Sequence, residues 1–379
     1  MNYLLRYIIW NKTGIRDYKK FPSQDIQNGT TYFSFPKDPV KDSEVSGTLK
    51  KISYRYRNQI VESSLEDLLK STGTTSFIII KDDNLLFEEY FNNYNRDSVN
   101  TSFSIAKTFT STLIGIAIDE GTIGSVEDKV VKYIPELKGS VVDTLAIKHL
   151  LSMSSGIRYN STHYPWGDEP KSYYYPNLKK LVLKSTQQEY DPGLYFKYVN
   201  YNFILLGIIL ERTTKTLPSL YLQEKLWKPL EMEFPATWST DSRKHGFVKM
   251  ESGINARSID FAKFGRLFLN GGLWNNIQVI PEKWIIESTS PPDIKDKQYY
   301  ITKNFYPYSM FFKDQGLYYK YGWWGLKRNI ESYDYLAIGV HGQFIYICPQ
   351  KQIIIVRNGK KWGNVNWWPA IFKEITEML

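Results

Sequence analysis

The fold of this 379-residue chain is decided by the stretch Ser104-Ile-Ala-Lys107-Thr-Phe-Thr-Ser-Thr-Leu-Ile-Gly-Ile-Ala-Ile118. The stretch carries no charge after Lys107, and Asp119-Glu-Gly121 marks its end, with Gly121 as the expected cap. It predicts a helix that is buried on most sides, because a surface helix would carry more charge. At i, i+3 spacing Ser104 and Lys107 share one helix face, so the amine can reach the hydroxyl.

This serine–lysine pair suits nucleophilic chemistry. A serine that starts a helix lies where free backbone N–H groups and the positive end of the helix dipole point. A desolvated lysine loses its proton more readily than an exposed one, and the neutral amine can then activate a hydroxyl. The S-x-x-K pattern alone is often a chance match. The lysine at the head of an otherwise uncharged helix favours the catalytic interpretation.

A second motif is Tyr198-Val-Asn200, which precedes the apolar run Phe203–Leu210. A tyrosine and an asparagine two residues apart, on a turn before a buried helix, can point into one cleft. The phenol could relay the proton of a nucleophile, and the amide could hold a substrate carbonyl. In a tyrosine-rich chain, a tyrosine that only packs against its neighbours is a strong alternative.

A third motif, Ala337-Ile-Gly339-Val-His341-Gly-Gln343, leads into the apolar run Phe344–Ile347. Glycines at a strand edge let a ligand approach the backbone N–H groups closely. Such an edge suits one half of an oxyanion hole. The alternative is a glycine-containing hairpin with no role in chemistry.

The composition narrows the class of protein. Hydrophobic residues make up 42% of the chain, enough for a sizeable core. The formal charge of +9 could point to nucleic acid, but Lys and Arg are spread along the chain without a basic block, so no nucleic-acid partner is expected. The four histidines lack the spacing of metal ligands, and neither a metal nor another cofactor is expected. With Cys348 as the only cysteine, no intramolecular disulfide can form.

The sequence leaves the cellular location open. No stretch approaches the roughly 20 apolar residues that cross a bilayer. The apolar opening Tyr3–Trp10 is too short, carries Arg6 in its middle and does not resemble a signal peptide. The protein is either cytoplasmic, or periplasmic or otherwise extracytoplasmic with an export segment that this chain lacks. Membrane association is expected only through such an absent anchor.

The patterning predicts one main domain over residues 59–379, with residues 1–58 wrapping over its surface. Gln59–Leu69 has helical spacing. Ser76–Ile80 and Leu85–Tyr90 flank the turn residues Asp82-Asp-Asn84 and predict a β-hairpin.

A second strand pair, Phe344–Ile347 and Gln352–Val356, and an amphipathic helix over Trp367–Leu379 lie near the C-terminus. Strands at both ends of the chain predict a single sheet built from both. The expected class is α/β (α+β), with one lobe over 59–124 and 232–379 and a helical lobe over about 125–231.

The order of the three motifs resembles that of class C β-lactamases and DD-peptidases, within the serine β-lactamase and penicillin-binding-protein superfamily. Four further segments are similar to stretches of that family: Gly121–Leu137, His149–Ile157, Trp227–Met232 and Asn255–Gly265. Within the superfamily, Gly253–Ser258 and the Gly339–Gln343 ending resemble the branch of esterases and 6-aminohexanoate-oligomer hydrolases. Relatives with the pattern Asp17-Tyr-x-x-Phe-Pro22 often carry an upstream membrane anchor, which favours an extracytoplasmic location.

The resemblance implies a fold and a set of roles. The fold is a mostly antiparallel sheet flanked by helices, plus an all-α lobe, with the site between them. Ser104 is the expected nucleophile, Lys107 and Tyr198 the proton-transfer pair, and the N–H groups of Ser104 and Val340 the oxyanion hole. The residues expected to contact substrate are Asn200, Gly339, His341 and, on a cleft-lining loop, Tyr164 and Trp166. For that loop, aromatic residues packing only on one another are an equal alternative.

One position departs from the family pattern. Ala337 stands where β-lactamases carry the lysine of a K-T-G motif. We therefore expect a hydrolase of small esters, amides or peptides that turns over neutral esters and linear amides better than penicillins. A cation from another loop would change this expectation, and Lys171, Lys244 and Arg257 are candidates. A D-amino-acid peptidase or a β-lactamase is the enzymatic alternative, and a non-catalytic wall-binding or sensor protein is the alternative of another class.

Overall fold

The computed structural model describes residues 1–10, 12–37, 45, 47–57, 59–292 and 316–379. Its strands are β1 (Ser23–Ile26), β2 (Ile52–Tyr56), β3 (Gln59–Ser63), β4 (Thr74–Lys81), β5 (Asn84–Tyr90), β6 (Asn100–Thr101), β7 (Ala236–Ser239), β8 (Ile254–Ala256), β9 (Leu273–Trp274), β10 (Ile277–Gln278), β11 (Leu317–Lys320), β12 (Trp323–Lys327), β13 (Tyr333–Gly339), β14 (Gln343–Cys348) and β15 (Ile353–Gly359). Its α-helices are α1 (Tyr3–Trp10), α2 (Leu65–Ser71), α3 (Ala106–Asp119), α4 (Val130–Tyr133), α5 (Ile147–Leu151), α6 (Asp168–Tyr174), α7 (Leu178–Ser185), α8 (Asn200–Thr214), α9 (Pro218–Leu222), α10 (Ser258–Leu269), α11 (Glu282–Thr289) and α12 (Trp368–Met378).

The largest sheet of the described residues has seven strands in the order β11-β12-β13-β14-β15-β4-β5, and every neighbouring pair is antiparallel. The predicted hairpin is therefore present as β4 and β5, and it joins the C-terminal strands through β15. Successive side chains of a strand point to opposite faces. On β14, Phe344 packs on Phe372 of α12, whereas Ile345 lies on the opposite face against Gly265 of α10. The sheet is thus covered by helices on both faces.

A second sheet of the described residues has four strands in the order β1-β7-β8-β6. Its strand β6 ends at Thr101, directly before the turn that carries Ser104, and that turn also packs against β13 and β14 of the larger sheet. The predicted nucleophile therefore stands where the two sheets meet.

Helix α3 packs against α8, and both are buried over most of their length. In α3 every residue from Ala106 to Ala117 is buried, as the uncharged sequence predicts. Gly121 follows the helix with φ +72°, a left-handed conformation that glycine adopts without strain. One detail differs from the expectation, because Ser104 lies in a 3₁₀ turn, Phe103–Ile105, that precedes the α-helix.

The helical spacing of Gln59–Leu69 predicts the wrong structure for its first half. Residues Gln59–Ser63 form β3, which pairs with β2, and α2 begins only after Ser64. Ser64 accepts a hydrogen bond from the backbone N–H of Asp67 and so starts the helix. The β-branched Ile60 and Val61 favour the strand on the other side of this cap.

The N-terminal segment has more structure than its irregular sequence suggests. Helix α1 packs against α6, and β1 pairs with β7. The polarity of α1 is inverted, because Arg6 is buried while Leu4 and Ile8 are exposed. The assignment of residues 1–58 and 125–231 to a separate segment and lobe stays a prediction. Within the described residues, no helix is long and apolar enough to span a membrane.

Candidate active site

The backbone around Ser104 is sharply turned. Phe103, which is 2% exposed, has φ +48°, and this left-handed conformation is rare for an aromatic residue. Its ring contacts the rings of Tyr173 and His341, at centroid distances of 6.2 and 5.2 Å. Such strain persists only where the surrounding structure holds it, and it is common at functional sites. The turn leaves Ser104 at the surface of a cavity.

Lys107 is the partner of Ser104. Its ammonium donates a hydrogen bond to Ser104 Oγ at 3.0 Å and another to the backbone carbonyl of Glu251 at 2.8 Å. The side chain is 2% exposed, and burial lowers the pKa of Lys107 from 10.5 to about 8. Nearby Lys249 lowers this pKa further, whereas Glu251 and Glu169 oppose the shift. The amine can therefore become neutral near physiological pH and accept the serine proton.

Tyr198 lies beside this pair. The Lys107 ammonium is 5.0 Å from the centroid of the Tyr198 ring. The ring stacks on Trp324 of β12, at 6.2 Å and an interplanar angle of 14°. The larger sheet thus packs on Tyr198, which lies beside Lys107. Tyr198 is not among the described residues that line the cavity around Ser104, and its role in proton transfer stays a prediction.

Asn200, the first residue of α8, contacts a carboxylate that the sequence analysis did not identify. Its Nδ2 donates to both oxygens of Glu169, at 3.1 and 3.2 Å, and also lies 3.2 Å from the Tyr159 hydroxyl oxygen. Tyr159 itself donates to Glu169 Oε2 at 2.8 Å. The acidic pair Asp168-Glu169 was visible in the sequence, but the pattern could not show which of the two faces the cleft.

The turn between β13 and β14 forms another wall of the site. Glycine at position 339 permits close packing, because a Cβ there would lie 2.4 Å from the backbone oxygen of Ser102. Val340 and His341 both line the cavity, and His341 has φ +66°. Thr13 Oγ1 lies 2.8 Å from His341 Nε2, and burial lowers the pKa of His341. The N-terminal segment therefore contacts the residue that follows the predicted oxyanion-hole position.

One cavity of about 440 Å³ brings most of the predicted site residues together. Its lining includes Ser104, Lys107, Asn200, Val340 and His341. It also includes residues that the sequence analysis missed, in three groups: Tyr7, Lys12 and Thr13 of the N-terminal segment, Glu169 of α6, and Glu251. No motif identified these residues, because they become neighbours only in the folded chain.

Tyr164 and Trp166 are not part of this lining. Their rings stack on each other, at 4.9 Å and 12°, and the two side chains are 61% and 64% exposed. His163, beside them, does line the cavity. The loop thus reaches the cavity through a different residue, and a substrate contact by Tyr164 or Trp166 stays a prediction. Within the described ranges, no group of three or more His, Cys, Asp or Glu residues could hold a metal ion.

Comparison with known proteins identifies the family to which this fold and site belong. The family model named Beta-lactamase matches residues 61–365, and the chain belongs to this family of hydrolases. The chain is 26% identical over 341 residues to the 6-aminohexanoate-dimer hydrolase of Paenarthrobacter ureafaciens, which covers 85% of this chain and 80% of that protein.

Solved structures agree. A Bacillus anthracis protein provisionally assigned as a 6-aminohexanoate-dimer hydrolase superposes with a TM-score of 0.76 at 21% identity, over 97% of this chain and 92% of that one. The D-stereospecific amidohydrolase of Streptomyces sp. superposes with a TM-score of 0.61 at 17% identity, over 88% and 97% of the two chains. At these identities the likeness shows the fold alone. The predicted superfamily and fold class are confirmed.

Proposed function

We propose that this protein is a serine hydrolase that cleaves ester or amide bonds through an acyl-enzyme on Ser104. The observation that carries the proposal is the 3.0 Å contact between Lys107 Nζ and Ser104 Oγ at the edge of the cavity. A hydroxyl becomes a good nucleophile when an adjacent base removes its proton, and the lowered pKa of Lys107 supplies such a base. A non-catalytic binding protein would have no use for this arrangement.

The proposed reaction has two halves. In the first, neutral Lys107 accepts the Ser104 proton while Oγ attacks the scissile carbonyl. The backbone N–H groups of Ser104 and Val340 stabilise the negative charge on the carbonyl oxygen. Lys107 and Tyr198 then pass the proton to the departing alcohol or amine. In the second half, water attacks the acyl-enzyme, the same groups take its proton, and the acid is released as Ser104 regains its hydrogen.

The surroundings of the cavity support small linear substrates. Asn200 is proposed to orient the substrate, and its contact with Glu169 fixes the side chain in place. The 6-aminohexanoate-dimer hydrolase that the chain resembles is named for a dimer of 6-aminohexanoate. Ala337, which is 1% exposed, offers no cation at the strand position that β-lactamases use. These observations favour linear esters and amides over β-lactams.

The test is Ser104→Ala, with Ser111→Ala as the matched control. Ser111 lies one helical turn after Lys107 in α3, is buried, and is outside the cavity lining. We expect wild type and Ser111→Ala to gain the mass of a fluorophosphonate probe and to hydrolyse p-nitrophenyl esters. Ser104→Ala should do neither, with its thermal transition nearly unchanged. Labelling of Ser104→Ala, measured by intact mass spectrometry, would place the nucleophile elsewhere.

A further inference from the structure

The cavity is lined by a cation of the N-terminal segment, Lys12, that does not come from β13. The three candidates named from the sequence are placed elsewhere. Lys171 donates to the backbone oxygen of Trp166 at 2.7 Å and lies 3.4 Å from an Asp168 oxygen. Arg257 donates to the backbone oxygens of two residues outside the cavity lining, and Lys244 is exposed. None of the three is among the described residues that line the cavity.

Lys12, by contrast, lines the cavity. Its position is held by contacts of its own backbone and of the residues that follow it. Thr13 lies 2.8 Å from His341 on the β13–β14 turn. The backbone oxygen of Lys12 accepts a hydrogen bond from Lys20 Nζ at 2.7 Å, and Lys20 is paired at 2.9 Å with Asp17. Asp17 in turn accepts a hydrogen bond from the Tyr173 hydroxyl at 2.7 Å.

The charge of Lys12 is available to a ligand. Among the described residues, the Lys12 ammonium has no carboxylate within ion-pair distance. The two carboxylates of the cavity lining accept hydrogen bonds from other residues. Glu169 accepts hydrogen bonds from Asn200 and Tyr159, and Glu251 accepts one from the Ser252 hydroxyl at 2.9 Å. A lysine held at a cavity wall without a protein partner is suited to an anionic group of the substrate.

We propose that Lys12 recognises a carboxylate on the substrate, so that the enzyme prefers esters and amides that carry a free carboxylate over their neutral isosteres. Its neighbour Thr13 contacts His341 on the turn that follows β13, so Lys12 lies near the end of the strand that carries Ala337. This inference rests on the proposed hydrolase function. It revises the expectation drawn from Ala337 alone, which takes no account of a cation from the N-terminal segment.

The test compares p-nitrophenyl hemiglutarate, which is anionic, with the similarly long p-nitrophenyl pentanoate, which is neutral. A second pair, 4-carboxyphenyl butyrate and 4-acetylphenyl butyrate, places the charge on the leaving group. For wild type we expect a higher kcat/KM for the anionic member of at least one pair. In Lys12→Ala the anionic-to-neutral ratio for that pair should fall about tenfold, in line with a charge-assisted hydrogen bond.

Three further measurements separate a charge contact from a general disturbance. Lys12→Arg should retain most of the ratio, and Lys12→Glu should invert it. Lys19→Ala, an exposed lysine of the same segment outside the cavity lining, should leave it unchanged. Raising the salt concentration should reduce the wild-type preference, because Lys12 is exposed.

The outcomes distinguish the two proposals. If wild type hydrolyses no ester of either pair and Ser104 is not acylated, the proposed function fails. If the esters are hydrolysed but Lys12→Ala and Lys12→Glu leave the ratio of both pairs unchanged, the role of Lys12 is wrong while the hydrolase function stands.

Discussion

At the scale of single residues, Lys107 makes activity depend on pH. Because burial lowers the pKa of Lys107 to about 8, the amine is mostly protonated at pH 6 and mostly neutral at pH 9. Only the neutral amine can accept the Ser104 proton. We expect kcat/KM for p-nitrophenyl pentanoate to rise about tenfold per pH unit below 8 and to level off above it. A flat profile between pH 6 and 9 would exclude Lys107 as the base.

The same profile measured for Tyr198→Phe serves as its control. Phenylalanine keeps the ring that stacks on Trp324 and removes only the hydroxyl. We expect kcat to fall by roughly 10²-fold or more if the phenol transfers the proton. The shape of the ascending limb should persist, since Lys107 stays buried. A kcat near that of wild type would limit Tyr198 to packing.

The pKa of Lys107 also affects stability. It is lower in the folded chain than in the unfolded chain, where the ordinary value is 10.5. Between pH 8 and 10.5 the unfolded chain therefore binds more protons at this residue. The contribution of Lys107 to the free energy of unfolding rises with pH across this window.

The sequence could identify those residues that belong to a local motif. Ser104 and Lys107 share a helix face by spacing alone, and the structure places them 3.0 Å apart. Glu169 and Lys12 could not be found in this way. No motif marks either residue, and each reaches the cavity only because distant elements pack together.

At the scale of elements, α3 is held by a contact that tolerates no extra atom. A Cβ at Gly115 would lie 2.4 Å from the ring of Trp284 in α11. We expect Gly115→Ala to lower the free energy of unfolding by about 1–3 kcal/mol, because overpacking outweighs the gain in helix propensity. Urea denaturation would measure the loss. Gly29→Ala, where the nearest atoms lie at 3.5 Å or more, is the control. Equal stability of Gly115→Ala and wild type would contradict this packing.

Elements marked by their own sequence were predicted well, and those that depend on distant pairing were not. The hairpin of β4 and β5 and the buried helix α3 follow from their own sequences. Strand β3 was taken for helix, because apolar and acidic residues recur in Gln59–Leu69 at a spacing that both structures allow over so short a stretch. Its pairing with β2 decides the outcome.

At the scale of the whole molecule, Arg6 ties the N-terminal segment to the rest of the chain. Its guanidinium, 5% exposed, donates to the backbone oxygens of Tyr174 and Asp241. We expect Arg6→Ala to lower the free energy of unfolding by about 1–3 kcal/mol, because both buried oxygens lose a donor. Hydrogen exchange of α1 should accelerate at the same time. Leu4→Ala, on the exposed face of the same helix, should change stability by less than about 0.5 kcal/mol. The reverse ranking would mean that α1 presents its other face.

The family and the general architecture were predictable at this scale. The order of the three motifs indicated the family, and the two strand pairs indicated the sheet. The path of the N-terminal segment was not. It is fixed by single long-range contacts, such as that of Thr13 with His341, which leave no periodic pattern in the sequence.

The strand order also determines when the sheet can form during synthesis on the ribosome. Strand β4 pairs with β5 close by in sequence, but its other edge waits for β15, where Ile353 pairs with Lys81. A ribosome adding about 5–20 residues per second takes tens of seconds or less to reach that point. Until then β4 and β5 form an isolated hairpin, and the apolar residues Phe77–Ile80 of β4 have no strand on their other side. An isolated hairpin is marginally stable at best. The nucleophile turn likewise lacks β13 and β14 beside it. The chain therefore cannot complete its site until β13, β14 and β15 have been translated.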